Sequence, residues 1–532
     1  MTYPVPVTRR TSPVSVASIL EASYARYGSK PALLDGDVVH SYADLGRRVH
    51  RVVAALTALG ATRGDRVAVL GANSPVFIEV SQAAFVGGFV RVAPSSKLHP
   101  LEVVELVEDC RARFLFVDED WAQRIPAVRD RMPSVEHVIG MAGAAPDAVP
   151  YAELIDRADP GAPEDLPGPD ELCALLYTSG TTGRPKGAML THGNWAAMIR
   201  NSMIELPPIE ADEVMLHVAP LSHFSGYVEP TYSARGAFHI VSPQFNPAQV
   251  VQAIERHRVT AMPLVPTMLN MLLPAAEART ADVSSMRTIV YGGSGIAPDR
   301  LARAVTAFGD VFVQFFGLSE TPMPLAALSP GDHRFAVDGP VPPRLASAGR
   351  VNPFVELRIC DEERAPLPAG EVGEIVVRGD VVMAGYWERP EQTAEMIDED
   401  GWAATGDLGR IDADGYLYVV DRKRDMIVTG GYNVYPTEVE NAISALPDVH
   451  EVAVVGAPDE QWGEAVVAVV VPRPGAALTA EDVVAACLAR LATYKKPRAV
   501  EFVEELPRTG SGKIMRRQLR ERLWAGRDRH VG

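Results

Sequence analysis

The chain reads as an α/β protein: a large N-terminal domain of parallel βαβ layers with a β-barrel-like subdomain, then a smaller α+β C-terminal domain. Three observations carry this reading. The 532 residues exceed what one compact core encloses. Short β-branched runs alternate with helix-period segments from about Val16 to Val420, as parallel strands joined by crossover helices require. After about Gly349 the strands become closely spaced and separated by turn residues, the pattern of antiparallel or barrel-like pairing.

In chain order, Arg66 to Leu70 is a strand ahead of a helix over Pro75 to Val86, and Leu172 to Tyr177 is an apolar, buried strand. Met286 to Tyr291 is a strand followed by a helix over Pro298 to Ala307. Glu356 to Ile359, Glu374 to Arg378 and Tyr416 to Val420 are the closely spaced strands. The charged pentad Asp421 to Asp425 separates Val420 from the apolar Met426 to Val428, which puts a domain boundary there, with domains over 1–423 and 424–532. The second domain has a helix over Thr437 to Leu446, strands over Glu451 to Val455 and Ala465 to Val471, a helix over Ala480 to Leu491 and a final basic helix. No internal repeat is visible.

Composition excludes several classes. A hydrophobic fraction of 47% with 22% charged residues is globular and argues against wholesale disorder or a fibre. A net charge of −17 argues against a nucleic-acid surface. Cys110, Cys173, Cys360 and Cys487 lie far apart with no Cys-x-x-Cys pair, so neither a zinc site nor a disulfide framework is expected. The segment from Met1 to Val14 lacks the apolar core of a secretory signal, and apolar runs such as Ala465 to Val471 fall far short of the roughly 20 residues of a membrane helix. A soluble, cytoplasmic protein without a transmembrane segment is expected.

The most informative stretch is Leu176 to Gly187, Leu-Tyr-Thr-Ser-Gly-Thr-Thr-Gly-Arg-Pro-Lys-Gly. Gly180 and Gly183 let successive N–H groups turn toward an anion, Thr178, Ser179, Thr181 and Thr182 bring hydroxyls, and Lys186 adds charge. The loop reads as a polyphosphate cradle between an apolar strand and a helix. Its spacing differs from the Walker A pattern, which disfavours an ordinary P-loop kinase or GTPase. A flexible Gly/Ser/Thr connector is the alternative, at odds with a buried strand directly before it.

Further along, Glu320 follows Gln314-Phe315-Phe316-Gly317-Leu318-Ser319 at the end of an apolar strand, where a carboxylate on a loop can bind Mg²⁺ and leave its other ligands to phosphate and water. Asp407, closing Trp402-Ala403-Ala404-Thr405-Gly406-Asp407, has two acceptor oxygens for the two donors of a ribose diol, with Arg422 as its partner. Lys513, in Pro507-Arg508-Thr509-Gly510-Ser511-Gly512-Lys513-Ile514, sits on a Gly/Ser loop ahead of the basic helix and could neutralise two mutually repelling anions. Gly430 and Gly431 allow close backbone approach to a narrow ligand, or a tight hairpin turn.

These stretches, in this order, resemble the motifs of the acyl-adenylate-forming superfamily, which includes acyl-CoA synthetases, aryl-CoA ligases and adenylation domains. The resemblance covers most of the chain. It implies an ATP- and Mg²⁺-dependent carboxylic acid:CoA ligase that forms an acyl-adenylate, releases pyrophosphate and AMP, and uses coenzyme A as acceptor. It further implies Glu320 as Mg²⁺ ligand, Lys513 and Lys186 as catalytic cations, and His223 as the gate of the acyl site in Pro220-Leu221-Ser222-His223-Phe224-Ser225-Gly226-Tyr227. Phe316 takes the adenine-stacking position usually held by Tyr, Ser319 replaces the usual Thr, and Phe315, Gly317, Gly293 and Ser294 join the nucleotide site. Gly430 and Gly431 would line the pantetheine tunnel, and Arg424 would be the hinge, where Lys or Asp is usual.

The acid implied lacks an α-amine, because no carboxylate precedes Glu229 in the acyl segment. Phe315 argues against a long straight chain, whereas Gly292, Gly293 and Gly295 leave room. An acyl carrier protein is the alternative acceptor, and a catalytically silent nucleotide-binding protein the alternative of another class. A homodimer is an open assembly state.

Overall fold

The computed structural model describes residues 14–143, 148–159, 161–163, 165–178, 185–210, 212–277, 282–336, 339–423, 425–429, 432–459, 462–508 and 514–525. Two mixed sheets form the large domain. In the first, strands Pro31–Asp35, Phe238–Val241, Val214–His217, Ala261–Leu264, Thr288–Gly292 and Phe312–Phe316 lie side by side and parallel. Val38–Ser41 joins one edge antiparallel, and Ala326–Leu328 and Arg350–Val351 join the other.

In the second sheet Leu172–Thr178, Val90–Val92, Arg66–Leu70, Phe114–Val117, His137–Gly140 and Val149–Pro150 are parallel. Lys186–Thr191 and then Gly385–Tyr386 extend it antiparallel. Helices cover the faces, so central strands such as Phe114–Val117 and Thr288–Gly292 are buried at every position and read as continuous apolar runs. Two of the covering helices start where a side-chain cap precedes a proline. Ser74 accepts from the Phe77 N–H ahead of Pro75, and Asn246 accepts from the Ala248 and Gln249 N–H groups ahead of Pro247.

The expected antiparallel strands are Glu356–Cys360, Gly373–Arg378, Ala403–Ile411 and Leu417–Arg422, paired in that order. The last runs past Val420, because Asp421 pairs with Leu408 and Arg422 with Asp407. The charged pentad is therefore partly strand. Beyond it Tyr432–Val434, Ile427–Thr429, Gly463–Pro472, Val449–Asp459 and Ala499–Phe502 build a separate small sheet. Helices Pro436–Ser444, Ala480–Leu488 and Arg516–Leu523 accompany it. Ile427, Val439, Ile443, Val454 and Val470 give this small C-terminal domain its own core. Among the described residues no helix is long and apolar enough to cross a membrane, and the four cysteines are buried thiols.

A buried polar chain runs between helix Phe224–Ser233 and two strands of the first sheet. Ser225 Oγ meets His217 Nδ1 at 2.7 Å, His217 Nε2 meets His239 Nδ1 at 2.8 Å, and His239 Nε2 meets Ser233 Oγ at 3.0 Å. The Ser233 hydroxyl donates to Glu229 Oε1, which also accepts from Gln82 Nε2 at 2.9 Å. Burial pushes Glu229 up to about 7, His239 down to about 3, and His217 well below its ordinary value, with His239 adding to the last. Each group is thereby favoured in its neutral form.

The signs oppose one another. Glu229 holds its proton after the unfolded chain has released one at its ordinary 4.5, so its contribution is complete below 4.5 and is lost as pH rises through about 7. The histidines contribute above their ordinary 6.5 and lose it as pH falls toward about 3. Glu229→Gln removes the first effect alone. Compared with the parent, the variant is expected to gain on the order of 2–3 kcal/mol between pH 5 and 8. Denaturant unfolding at several pH values measures this, and a pH-independent difference would refute it.

Candidate active site

Several of the sequence-predicted residues follow the carboxyl ends of parallel strands, where open α/β sheets bind ligands. Leu172–Thr178 leads to the hydroxyl-rich loop, Val214–His217 to His223, Thr288–Gly292 to Gly293 and Ser294, and Phe312–Phe316 to Gly317, Ser319 and Glu320. Folding converts distant stretches into neighbours. Gly293 takes a left-handed φ of +84°, and Gly293 and Ser294 are both exposed.

The hydroxyl-rich loop is flanked by strands on both sides, with Thr178 opposite Lys186, and not by a strand and a helix as expected. Lys186–Thr191 buries Gly187, Ala188 and Leu190 as part of the sheet, and helix His192–Glu205 begins only after the Thr191 cap. That placement fixes Lys186 at a strand end. Its Nζ lies 5.2 Å from the centroid of the Tyr386 ring. The Tyr386 hydroxyl in turn lies 3.0 Å from Glu320 Oε1 and donates to it, while the Glu320 carbonyl accepts from Met383 N–H at 3.0 Å. Burial, and after it the Glu320 carboxylate, pushes Tyr386 far above its ordinary value, so it remains a donor.

Asp407 and Arg422 face each other across their ladder, with Nε 2.7 Å from Oδ1. The carboxylate side chain is 5% exposed and the guanidinium 37%. Arg422 is also near enough to Tyr386 to oppose part of its shift, which ties the Asp407 pair to the Lys186–Tyr386–Glu320 group.

On the other side of Glu320, the Ser319 hydroxyl is near enough to Tyr227 to oppose part of the shift of its phenol, which burial pushes up to about 12. Tyr227 begins the second turn of the helix that follows His223, and His223 Nδ1 lies 2.8 Å from Ser222 Oγ. Phe315 is 1% exposed and shares a cluster with Phe224, Val228, Val290 and Met323, whereas Phe316 is half-buried. Gly292 sits under this wall. A Cβ there would stand 2.4 Å from the Phe315 carbonyl oxygen and 3.0 Å from Phe224 Cε2, so no other residue lets strand and ring approach so closely.

Ser179, Gly180, Thr181, Thr182, Gly183, Arg424, Gly430, Gly431 and Lys513 lie outside the described residues. Flanking Gly430 and Gly431, strands Ile427–Thr429 and Tyr432–Val434 pair antiparallel, with Thr429 opposite Tyr432.

The profile of AMP-binding enzymes matches residues 20–387, and that of the AMP-binding enzyme C-terminal domain matches residues 438–513. The chain belongs to the AMP-binding enzyme family. It is 38% identical to the medium/long-chain-fatty-acid–CoA ligase FadD8 of Mycobacterium tuberculosis, over 98% of this chain and 92% of the relative. It is 40% identical to a feruloyl-CoA synthase of Amycolatopsis, over 92% and 96% of the two chains. Among solved structures, the anthranilate CoA ligase AuaEII with anthranoyl-AMP superposes with a TM-score of 0.87 at 27% identity, covering 96% of this chain and 97% of that one.

AMP-binding CoA ligases use ATP, Mg²⁺ and CoA, and the residues here fit that set. Lys186 brings a cation and Glu320 a carboxylate to one aromatic side chain, and Asp407 brings an acid held by Arg422. Among the described residues no group of three or more His, Cys, Asp or Glu could cage a metal. A divalent ion held by a single carboxylate completes its shell with phosphate and water oxygens, as Mg²⁺ prefers.

Sequence reasoning missed Tyr386 and the segment around it. The Trp387 N–H donates to the Gly187 carbonyl at 2.8 Å, and the Ala384 N–H to the Met189 carbonyl at 2.9 Å. Arg389 and Tyr177 both bond the Asp109 carboxylate at 2.6 Å. The available signal was the Gly385-Tyr386-Trp387 run, aromatic residues directly after a glycine, ahead of a polar helix. Tyr386→Phe keeps the ring under Lys186 and removes the donor to Glu320. We expect a roughly three- to tenfold higher Mg²⁺ or ATP requirement with little change in Tm. Steady-state titration of each at saturating acid tests this.

Proposed function

We propose that this chain activates a carboxylic acid without an α-amine as its acyl-adenylate and transfers the acyl group to CoA, with the residues above in defined roles. The observation that carries the reading is the convergence on Ser319–Glu320, which contacts the wall of the acyl segment on one side and the flank of the phosphate loop on the other.

In this reading Thr178, Ser179, Gly180, Thr181, Thr182, Gly183 and Lys186 cradle the β- and γ-phosphates, and Glu320 ligates Mg²⁺. Mg²⁺, when held there by Glu320, would supply positive charge beside the pyrophosphate. Asp407 accepts from the ribose diol, oriented by Arg422. Phe316 stacks on adenine, beside Gly293, Ser294 and Gly317. Lys513 bridges the substrate carboxylate and the α-phosphate, two anions whose repulsion otherwise opposes attack. As the acid's oxygen bonds to the α-phosphorus, pyrophosphate leaves with the electrons of the broken P–O bond; the thiol then attacks the acyl carbon and AMP leaves.

The absence of an amine partner rests on Glu229, the first carboxylate of the acyl segment. It is buried, bonded to Gln82 and Ser233, and held toward its neutral form. Phe315 and Phe224, packed together, favour a compact acid, aryl or of medium length, over a long straight chain. Relatives acting on medium/long-chain fatty acids and on ferulate, by their names, bracket that range.

The domains are assigned to 1–423 and 424–532, with rotation at Arg424 exchanging Lys513 for the Gly430–Gly431 segment between the two half-reactions. Polar links across the junction support this. Arg300 Nη2 donates to the His450 carbonyl at 2.8 Å, a bond that water can replace.

Lys513→Ala is expected to lower acyl-adenylate formation by roughly 10²-fold or more while largely sparing thioester formation from supplied acyl-adenylate. Equal loss of both steps would defeat the two-conformation mechanism. The activity itself is tested by acid-dependent exchange of labelled pyrophosphate into ATP across aliphatic, aryl and dicarboxylic acids, followed by CoA against a carrier protein as acceptor. Exchange with no acid would overturn it.

A further inference from the structure

The turn that carries His223 belongs to the first sheet by chain order, yet side chains from the second sheet hold it. Asn73, between strand Arg66–Leu70 and helix Pro75–Val86, accepts from the Leu221 N–H at 2.7 Å through Oδ1 and donates to the Ala219 carbonyl at 2.9 Å through Nδ2. Arg91, in strand Val90–Val92, donates to the Leu221 carbonyl at 2.7 Å through Nη2 and to Ser81 Oγ at 3.1 Å through Nε. Leu221 is thus gripped at both of its backbone polar groups, two residues before His223.

Arg91 is costly to keep where it is. It is 1% exposed, lies with Cζ 5.8 Å from the Phe77 ring centroid and 5.9 Å from that of Trp195, and among the described residues has no carboxylate within ion-pair distance. Its Nη1 finds no hydrogen-bond partner among them either. A buried cation without a counter-ion destabilises a fold relative to an apolar side chain of similar shape. Stability therefore does not account for it.

The local geometry is built around its contact with Leu221. A Cβ at Gly226 would stand 1.9 Å from the Leu221 carbonyl oxygen and 3.2 Å from Arg91 Nη2, so only glycine lets that carbonyl turn inward to meet the guanidinium. The next residue, Tyr227, stands edge-on to Trp195 at 5.9 Å. One guanidinium thus touches the start of the acyl-site turn and the aromatic ring against which its far end packs.

We infer that Asn73 and Arg91 are positioning residues of the acyl site, which lock the backbone of residues 219–221 so that the His223 turn meets the acid in one fixed geometry. The inference rests on the assignment of residues 220–227 to the acyl site. Neither side chain touches substrate. Both act through the Leu221 peptide groups, and the effect falls on the acid and not on the nucleotide, whose proposed ligands lie on other strand ends.

The test uses the full chain with Arg91→Met, Arg91→Lys, Asn73→Ala and His223→Ala, comparing Tm with KM for acid and for ATP in pyrophosphate release. Arg91→Met should keep or raise Tm, raise KM for the acid about tenfold or more and leave KM for ATP within about twofold. Arg91→Lys should recover part of the acid KM, since an ammonium can still donate to the Leu221 carbonyl. Asn73→Ala should act on the acid KM in the same direction, and it decides the matter if Arg91→Met fails to fold. Folded Arg91→Met and Asn73→Ala proteins with parental acid KM, while His223→Ala changes it, would overturn the inference and leave the acyl site standing. An unchanged acid KM in His223→Ala would instead remove the acyl-site assignment beneath it.

Discussion

The site depends on one covalent constraint: Ser319 and Glu320 are adjacent, and their side chains engage opposite halves of the catalytic surface. Ser319 lies beside Tyr227 on the helix after His223, near enough to oppose part of the shift of its phenol. Glu320 accepts from Tyr386, whose ring lies beneath Lys186 at the end of the phosphate-loop strand. A peptide bond has a fixed length, so the distance between the acyl wall and the phosphate flank is set by this dipeptide more firmly than sheet packing alone would set it. Two sheets that could otherwise slide against each other are registered at this dipeptide.

Much of this was readable in the sequence, for a physical reason. Strands buried on both faces, such as Phe114–Val117, are apolar throughout, and helices that start at capped prolines, such as Pro75–Val86, announce themselves. Glu320 and Asp407 were also visible as acids set beside apolar strands. What was not readable depended on pairing across long separations. The strand character of Lys186–Thr191 comes from its ladder with Leu172–Thr178 and with Gly385–Tyr386, and no local periodicity encodes a partner some two hundred residues away. Tyr386 was missed for the same reason: its importance is a contact with Glu320 and Lys186, not a property of its own neighbourhood. The charged pentad misled in the opposite direction, since Asp421 and Arg422 look like linker residues until their ladder partners are known.

The acyl side of the site shows a different economy from the phosphate side. Lys186, Glu320 and Arg422 are partly exposed, as groups proposed to handle a highly charged nucleotide need to be. Behind the acyl wall, the polar groups are sealed in: Glu229, His217 and His239 are all pushed by burial toward neutrality. A neutral network can be hydrogen-bonded in full at low dielectric without a counter-charge. It can thus brace helix Phe224–Ser233 without a net charge.

Arg91 is the exception within that wall, and its exceptional status is informative. A guanidinium cannot be discharged as Glu229 can, so burial leaves it charged, and its hydrogen bonds to backbone and hydroxyl oxygens must offset part of the desolvation. An apolar residue in its place would fill the space between Phe77 and Trp195 but would leave the inward-turned Leu221 carbonyl without its donor. That buried carbonyl would then seek another conformation, and the turn would relax toward whichever one satisfied it. Stability and precision therefore pull in opposite directions at this position, and the chain carries the residue that favours precision.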